Sequence, residues 1–390
     1  VGRARIAIDV SPVMDRPLTG VGWRCLHLVN ALLERRDEVE YCLFAARARK
    51  TPRGEFPFPQ AEGAAVVPYF RRLKTMLWPT VERPPIEWFT GPVDAAHGMF
   101  HDLPASRRAF RIATIHDLSF LRFPETHTAA TIRTQTRLVH HCAARADGLI
   151  AVSEAVKSEL LRTFEVAPDS VAVVPGGVHL ADYQAPLDQE ALQRLRARLG
   201  LEEQYFIHLG TVEPRKNLVR LLEAYAQCIA HRPDAPMLLL VGARGWKSDP
   251  IFEAIERLRL EERVLHPGYL NREDAVLALK GAAALVYPSL YEGFGLPVLE
   301  AMAAGVPILA STDPALMELT EGAAVHVDPH SVEALLSGME RVWTDQEGNR
   351  HRTAAALERA RARTWTHSAE KLAQVYARAV QRQSLAAKGA

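Results

Sequence analysis

The sequence predicts an α/β protein built from two doubly wound parallel sheets in tandem. Three observations carry that prediction. Short β-rich runs alternate with stretches of helical spacing along the whole chain. The runs are almost continuously apolar, as strands are in a sheet covered on both faces. A chain of 390 residues is also too long for one ordinary core.

The first series opens with "RIAIDVS" (5–11), and "VGWRCLHLVNALLER" (21–35) follows with apolar residues at helical spacing. "EVEYCLFAA", "AAVVP", "DAAHG", "RIATIHD", "GLIAVSE" and "SVAVVPGG" complete it. The second series is "YFIHLG" (205–210), "MLLLVG" (237–242), "RVLHPG" (263–268), "ALVYPS" (284–289), "PILAS" (307–311) and "AAVHV" (323–327). The expected organisation is a first domain over 1–180, a linker over 181–203 marked by Pro186, mixed charge and a short polar helix, a second domain over 204–362 and a final helix over 363–390. In such sheets ligands bind beyond the carboxyl ends of the strands, where this chain gathers its glycines and polar residues.

Composition narrows the function. Apolar residues make up 48% and charged residues 24%, a soluble globular balance. With 47 basic and 46 acidic residues the net charge is +1, so no global field calls for nucleic acid. Cys25, Cys42, Cys142 and Cys228 lie far apart with no C-x-x-C, which argues against a zinc knuckle or a disulfide framework and for reducing cytoplasm. No signal peptide or long apolar run is present, so the expected location is cytoplasmic.

The densest chemistry lies in "YEGFGLPVLE" (291–300). Pro297 reads as a helix start and Gly305 as its stop, giving a helix over 296–304 with Glu300 in its first turn. Its free N–H groups and positive dipole end suit an anion such as a diphosphate. Gly293 and Gly295 let backbone approach a ligand closely. Carboxylates repel phosphate, so Glu292 and Glu300 suit neutral hydroxyls: a sugar for the first, a ribose diol for the second. On its own, Glu300 would read as a mere complement to the helix dipole.

Taken together, E-x7-E around "GFGLPVL", followed by "EAMAAGVPILAS", resembles the retaining glycosyltransferases of family 4, which have the GT-B fold: two Rossmann-like domains facing across a cleft. "GTVEPRKNLVRLLEAY" (210–225), "TIHDLSFLRFPE" (114–125), "ADGLIAVSEAVKSEL" (146–160) and "IAIDVSPVMDRPLTGVGWRCLHLVNAL" (6–32) extend the resemblance from about Ile6 to Val327. The subgroup most resembled holds bacterial polysaccharide and O-antigen mannosyltransferases.

The resemblance implies roles. Glu292 would contact the transferred sugar and Glu300 the nucleotide ribose, with amides around Gly293, Phe294, Gly295 and Leu296 holding sugar and phosphate. Arg215 and Lys216 would neutralise the departing diphosphate. Gly210 and Thr211 begin the phosphate loop; Thr211 stands where many relatives carry an arginine. His116 would meet the donor sugar, Gly20 and Gly22 the donor phosphate and acceptor, Tyr269 and Leu270 the nucleobase. As a dinucleotide fingerprint "GVGWRC" fails, which weakens a dehydrogenase reading.

The implied reaction is retaining transfer from a nucleoside-diphosphate sugar, GDP-mannose first, to a glycan or polyprenyl-linked acceptor. No D-x-D triplet occurs, and no metal or other cofactor is expected. The alternatives are a UDP-sugar-dependent transferase, a nucleotide-sugar epimerase or phosphorylase, a hydrolase using Glu292, and a non-catalytic nucleotide-binding module. "YFRRLKTMLWPTVERPPIEWF" (69–89) mixes Arg71, Arg72 and Lys74 with Phe70, Leu73, Met76, Leu77 and Trp78. It reads either as a surface for an anionic membrane or lipid-linked acceptor, or as a core helix with snorkelling bases.

Overall fold

A computed structural model describes residues 3–14, 18–35, 39–47, 58 and 65–389. Every expected strand run forms a strand, because each is short, apolar and followed by turn chemistry. The first seven are β1 (Ala4–Asp9), β2 (Val39–Arg47), β3 (Ala65–Phe70), β4 (Ala95–Gly98), β5 (Phe110–Ile115), β6 (Gly148–Ala151) and β7 (Val171–Val173). The other six are β8 (Tyr205–Leu209), β9 (Met237–Val241), β10 (Val264–Gly268), β11 (Ala284–Tyr287), β12 (Ile308–Ser311) and β13 (Val325–Val327).

The chain divides into two compact units. The first comprises Val1–Leu121, Ala129–Gly177 and Trp365–Ala390; the second, Arg122–Thr128 and Val178–Thr364. In the first, seven strands lie in the order β3-β2-β1-β4-β5-β6-β7, in the second six in the order β10-β9-β8-β11-β12-β13. All described pairings are parallel. Each order reverses once, between β1 and β4 and between β8 and β11. That reversal is where a doubly wound sheet opens a crevice at its strand ends.

Local sequence explains the edges of the units. The stretch 181–203, expected as a linker, folds as two helices, Leu180–Gln184 and Gln189–Leu199, and buries Tyr183, Leu195 and Leu201 in the second core. The segment 122–128 also belongs to the second unit: the Trp246 indole N–H donates to the Thr126 carbonyl at 2.7 Å, and His127 stacks on Trp246. The last helix, Trp365–Gly389, packs within the first unit. There the Tyr376 hydroxyl bonds His97 Nδ1 at 2.7 Å, and His27 stacks on Trp365. Cys25, Cys42, Cys142 and Cys228 are buried free thiols. Among the described residues no helix is long and apolar enough to cross a membrane.

The helix Arg71–Val81 corrects one expectation. Lys74 is 1% exposed and lies under the helix, paired with Asp102 at 2.5 Å and with Asp9 at the end of β1. Trp78 is buried beside it, whereas Leu73 and Met76 face outward. The inner face therefore carries the cation, and Lys74 cannot serve an anionic membrane. The side chains of Phe70, Arg71 and Arg72 lie outside the described residues, as do Asp15, Arg16 and Pro17 of the first glycine loop. Burial pulls the Lys74 ammonium down, but Asp102 and Asp9 more than offset it and hold it above its ordinary value. Lys74→Met strands two buried carboxylates, so we expect it to lose about 3–5 kcal/mol of stability. Urea denaturation checks this; a loss under about 1 kcal/mol would contradict the assignment.

Candidate functional site

In the second unit the expected residues converge at the β8/β11 reversal. After β8, Gly210 bonds back to β9, its N–H donating to the Val241 carbonyl at 2.9 Å. A short 3-10 turn, Pro214–Lys216, then places two cations side by side, and left-handed Asn217 (φ 60°) ends it and starts the helix Leu218–His231. Asn217 Nδ2 donates to the Pro288 and Pro329 carbonyls, and the Leu290 N–H donates to the Arg215 carbonyl at 2.9 Å. These bonds weld the cationic turn to the loop after β11.

Glu292 sits where the two segments meet. Its carboxylate takes Lys216 Nζ at 2.5 Å and Arg215 Nη1 at 3.1 Å. Lys216 also donates to the Tyr287 hydroxyl at 2.7 Å, and Arg215 to Glu213 at 2.7 Å and to the Tyr291 carbonyl at 2.7 Å. Burial alone would push the Glu292 carboxyl up. Lys216 and then Arg215 reverse that and hold it at about 2. Both cations are thus already paired with carboxylates, and a phosphate has to compete with Glu292 and Glu213 for them.

The helix Leu296–Ala304 follows, capped by Gly295 and Gly305. Gly295 is obligatory: its φ is +97°, and a Cβ there would come 2.5 Å from Leu316 Cδ2. Glu300 falls in the second turn, not the first, so it gains little from the helix dipole. The Tyr183 hydroxyl donates to it, and Arg272 lies near, itself paired with Asp182 at 2.6 Å. Burial pushes the Glu300 carboxyl up. Gly293, Phe294 and Leu296 are part-buried along the connection between the two acids, as is Thr211 after β8. Tyr269 is 45% exposed after β10, and Leu270 packs on the second core.

The remaining expected residues belong to the first unit. Gly20 and Gly22 open the helix Gly20–Leu33, where Thr19 Oγ1 accepts the Gly22 N–H at 3.5 Å. A Cβ on Gly22 would meet Leu18 at 2.9 Å and the Pro12 carbonyl at 3.0 Å. His116 follows β5. Its Nε2 faces the Met99 carbonyl at 2.8 Å, and a carbonyl only accepts, so Nε2 carries the proton and Nδ1 is the acceptor. Burial first, then Arg24 and His101, pull His116 well below its ordinary value. At neutral pH the imidazole is therefore uncharged, with Nδ1 as an acceptor.

Four participants gave no sequence signal of their own. His101, at φ +41°, accepts the His116 N–H on Nε2 at 2.8 Å and donates from Nδ1 to Gln135. Glu213 holds Arg215, Tyr183 holds Glu300, and Asp313 bonds the Glu292 backbone at 3.2 Å. The strand-end position of Asp313, after "PILAS", is the one pattern that could have flagged it.

The depressed Glu292 carboxyl has a measurable sign. Its folded value, about 2, lies below the ordinary 4.5, so its contribution is complete above 4.5 and is lost as pH falls through about 2. Its size is about 3 kcal/mol. In urea denaturation from pH 5.5 to 2.5, we expect Glu292→Gln to show a correspondingly shallower acid loss than the native chain. Parallel curves would show that the ion pairs do not hold.

Comparison with known proteins places the family and the fold. The sequence profile for "Glycosyl transferases group 1" matches residues 192–359, and that for "Glycosyltransferase Family 4" matches residues 18–182. The chain is 29% identical over 368 residues to O-antigen chain mannosyltransferase B of Escherichia coli, covering 92% of this chain and 96% of that protein. Sucrose-phosphate synthase from Thermosynechococcus elongatus superposes with a TM-score of 0.78 at 21% identity, over 99% of this chain and 100% of that one. WaaG, a glycosyltransferase involved in lipopolysaccharide biosynthesis, gives 0.71 at 17% identity, over 95% and 99%. With its second-unit site assembled at the strand-order reversal and two family profiles spanning most of its length, the chain belongs to the family 4 and group 1 glycosyltransferases of GT-B fold.

Proposed function

We propose that the protein is a retaining hexosyltransferase that moves mannose from GDP-mannose to a glycan or polyprenyl-linked glycan in bacterial polysaccharide biosynthesis. The observation that carries the reading is the buried cluster of Arg215, Lys216 and Glu292 at the β8/β11 reversal. It offers two cations to a diphosphate and one carboxylate to sugar hydroxyls. The choice of mannose and of a polysaccharide acceptor is supported by the similarity to the Escherichia coli O-antigen mannosyltransferase.

In this reading the donor diphosphate takes Arg215 and Lys216 from Glu292, and the freed carboxylate turns to the hydroxyls of the transferred sugar. Glu300 and Tyr183 hold the ribose diol, and Tyr269 and Leu270 face the base. His116 accepts a substrate hydroxyl at Nδ1, and the backbone of Gly20 and Gly22 serves the donor phosphate and acceptor. The bond from the anomeric carbon to the phosphate oxygen breaks, and a bond from that carbon to the acceptor oxygen forms on the same face. The acceptor's proton passes to the departing phosphate oxygen, so no protein base is needed. Arg215 and Lys216 stabilise the charge that collects on the leaving diphosphate, in a metal-independent reaction.

Exchange of partners gives an unusual signature. Glu292→Gln removes the internal competitor, so it should bind GDP at least as tightly as the native chain while kcat falls by about a hundredfold or more. Lys216→Ala should weaken GDP binding by about tenfold. Calorimetric titration with GDP and UDP, and NMR of the product anomer formed from GDP-mannose, test the reading. Inversion at the anomeric carbon, or a response to UDP alone, would refute the mechanism or the donor respectively.

A further inference from the structure

The loop that carries Glu292 is held from one further place. β12 ends at Ser311 and the helix Pro314–Thr320 follows; Asp313, between them, is 5% exposed. Asp313 Oδ1 caps that helix, accepting the N–H of Ala315 at 3.0 Å and of Leu316 at 3.2 Å. Its second oxygen does something a cap does not require: Oδ2 accepts the N–H of Glu292 at 3.2 Å, across 21 residues. Ser311 adds a strut, its Oγ donating to the Ser289 carbonyl at 2.6 Å and accepting the Asp313 N–H at 3.4 Å. With Gly295 pressed on Leu316, the loop rests on this one turn at three points.

We propose that Asp313 is a positioning residue for sugar transfer, fixing the Glu292 backbone while its own charge sets how strongly the neighbouring cations take an anion. The proposal rests on the reading of the site given above. Two buried carboxylates side by side resist both being charged. Burial first, then the Glu292 charge, push the Asp313 carboxyl up to about 7. The N–H groups of Glu292, Leu316 and Ala315 pull the other way. From the other elements, Arg215 and Lys216 bond the Glu292 carboxylate. His326 of β13 bonds the Ser311 carbonyl, and burial lowers it from its ordinary value. As pH rises through about 7, Asp313 adds a negative charge beside the anion site, and a diphosphate binds more weakly. Because the folded value exceeds the ordinary 3.8, Asp313's share of stability is complete below 3.8 and is lost as pH rises through about 7.

Two substitutions separate capping from positioning. In Asp313→Ser the short side chain still caps the helix but does not reach Glu292. In Asp313→Asn an oxygen still caps, and nothing titrates. The measurement is kcat and donor KM from pH 6 to 8.5, with thermal unfolding alongside. We expect the Ser variant to fold and lose about tenfold or more in kcat, and the native rise of donor KM with pH to vanish in the Asn variant. Native kcat in the Ser variant, or an unaltered KM profile in the Asn variant, would reduce Asp313 to a helix cap. If the native chain transfers no sugar at all, the function proposed above fails. Inorganic pyrophosphate binding, native against Asn, still decides the charge effect: a pH-dependent difference supports it and superimposable curves overturn it.

Discussion

The pairing of Glu292 with Lys216 and Arg215 organises the second unit. With Glu213 on Arg215 these are four charges in one crevice, tolerable only if each is met, because a lone buried charge costs several kcal/mol. The cationic turn after β8 and the acidic loop after β11 therefore have to arrive together, and the hydrogen bonds from the Asn217 side chain and the Leu290 N–H make them do so. In this arrangement the carboxylate stands in for the anion that the cations would otherwise attract. Stability and readiness for ligand are thus opposite faces of one contact.

The first unit repeats the theme with different residues. Its β1/β4 reversal also holds a buried cation, Lys74, between Asp9 at the end of β1 and Asp102 after β4. There the charges are balanced by fold partners two-to-one, which leaves a carboxylate surplus, not a cation to offer. Parallel sheets place the ends of many strands in one crevice, and polar side chains collect there because the strand interiors are apolar on both faces.

The strand runs were legible because burial on both faces writes itself as continuous apolar stretches with turn residues after them, as in "MLLLVG" and "ALVYPS". The 296–304 helix was legible from Pro297 and Gly305, and Glu292 stood out in its glycine loop, whereas Arg215 and Lys216 came only from the family resemblance of their stretch. What failed was whatever depends on a distant partner. Lys74 looked like a surface base because its spacing within the helix says nothing of Asp9, 65 residues away. Residues 181–203 looked like a linker because their charged outer faces dominate the composition, while the few inward residues, Tyr183 and Leu195, found a core elsewhere. His101 carries no local pattern and Asp313 only its place just after a strand; their roles exist only once two strand ends are neighbours.

The placement of the last helix bears on how the chain is made. Tyr376 completes the interior of the first unit by bonding His97, yet 279 residues separate them. A ribosome adding about 5–20 residues per second takes roughly a quarter of a minute to a minute to cover that span. The second unit, apart from the earlier segment 122–128, is one continuous run, Val178–Thr364. It has all its parts before the final helix leaves the exit tunnel. The half synthesised first is therefore the half finished last, and until then β4, β5 and the helix Gly20–Leu33 wait with a face uncovered. A nascent chain of this design has reason to meet a chaperone early, and a premature stop near its end would damage the opposite end of the molecule.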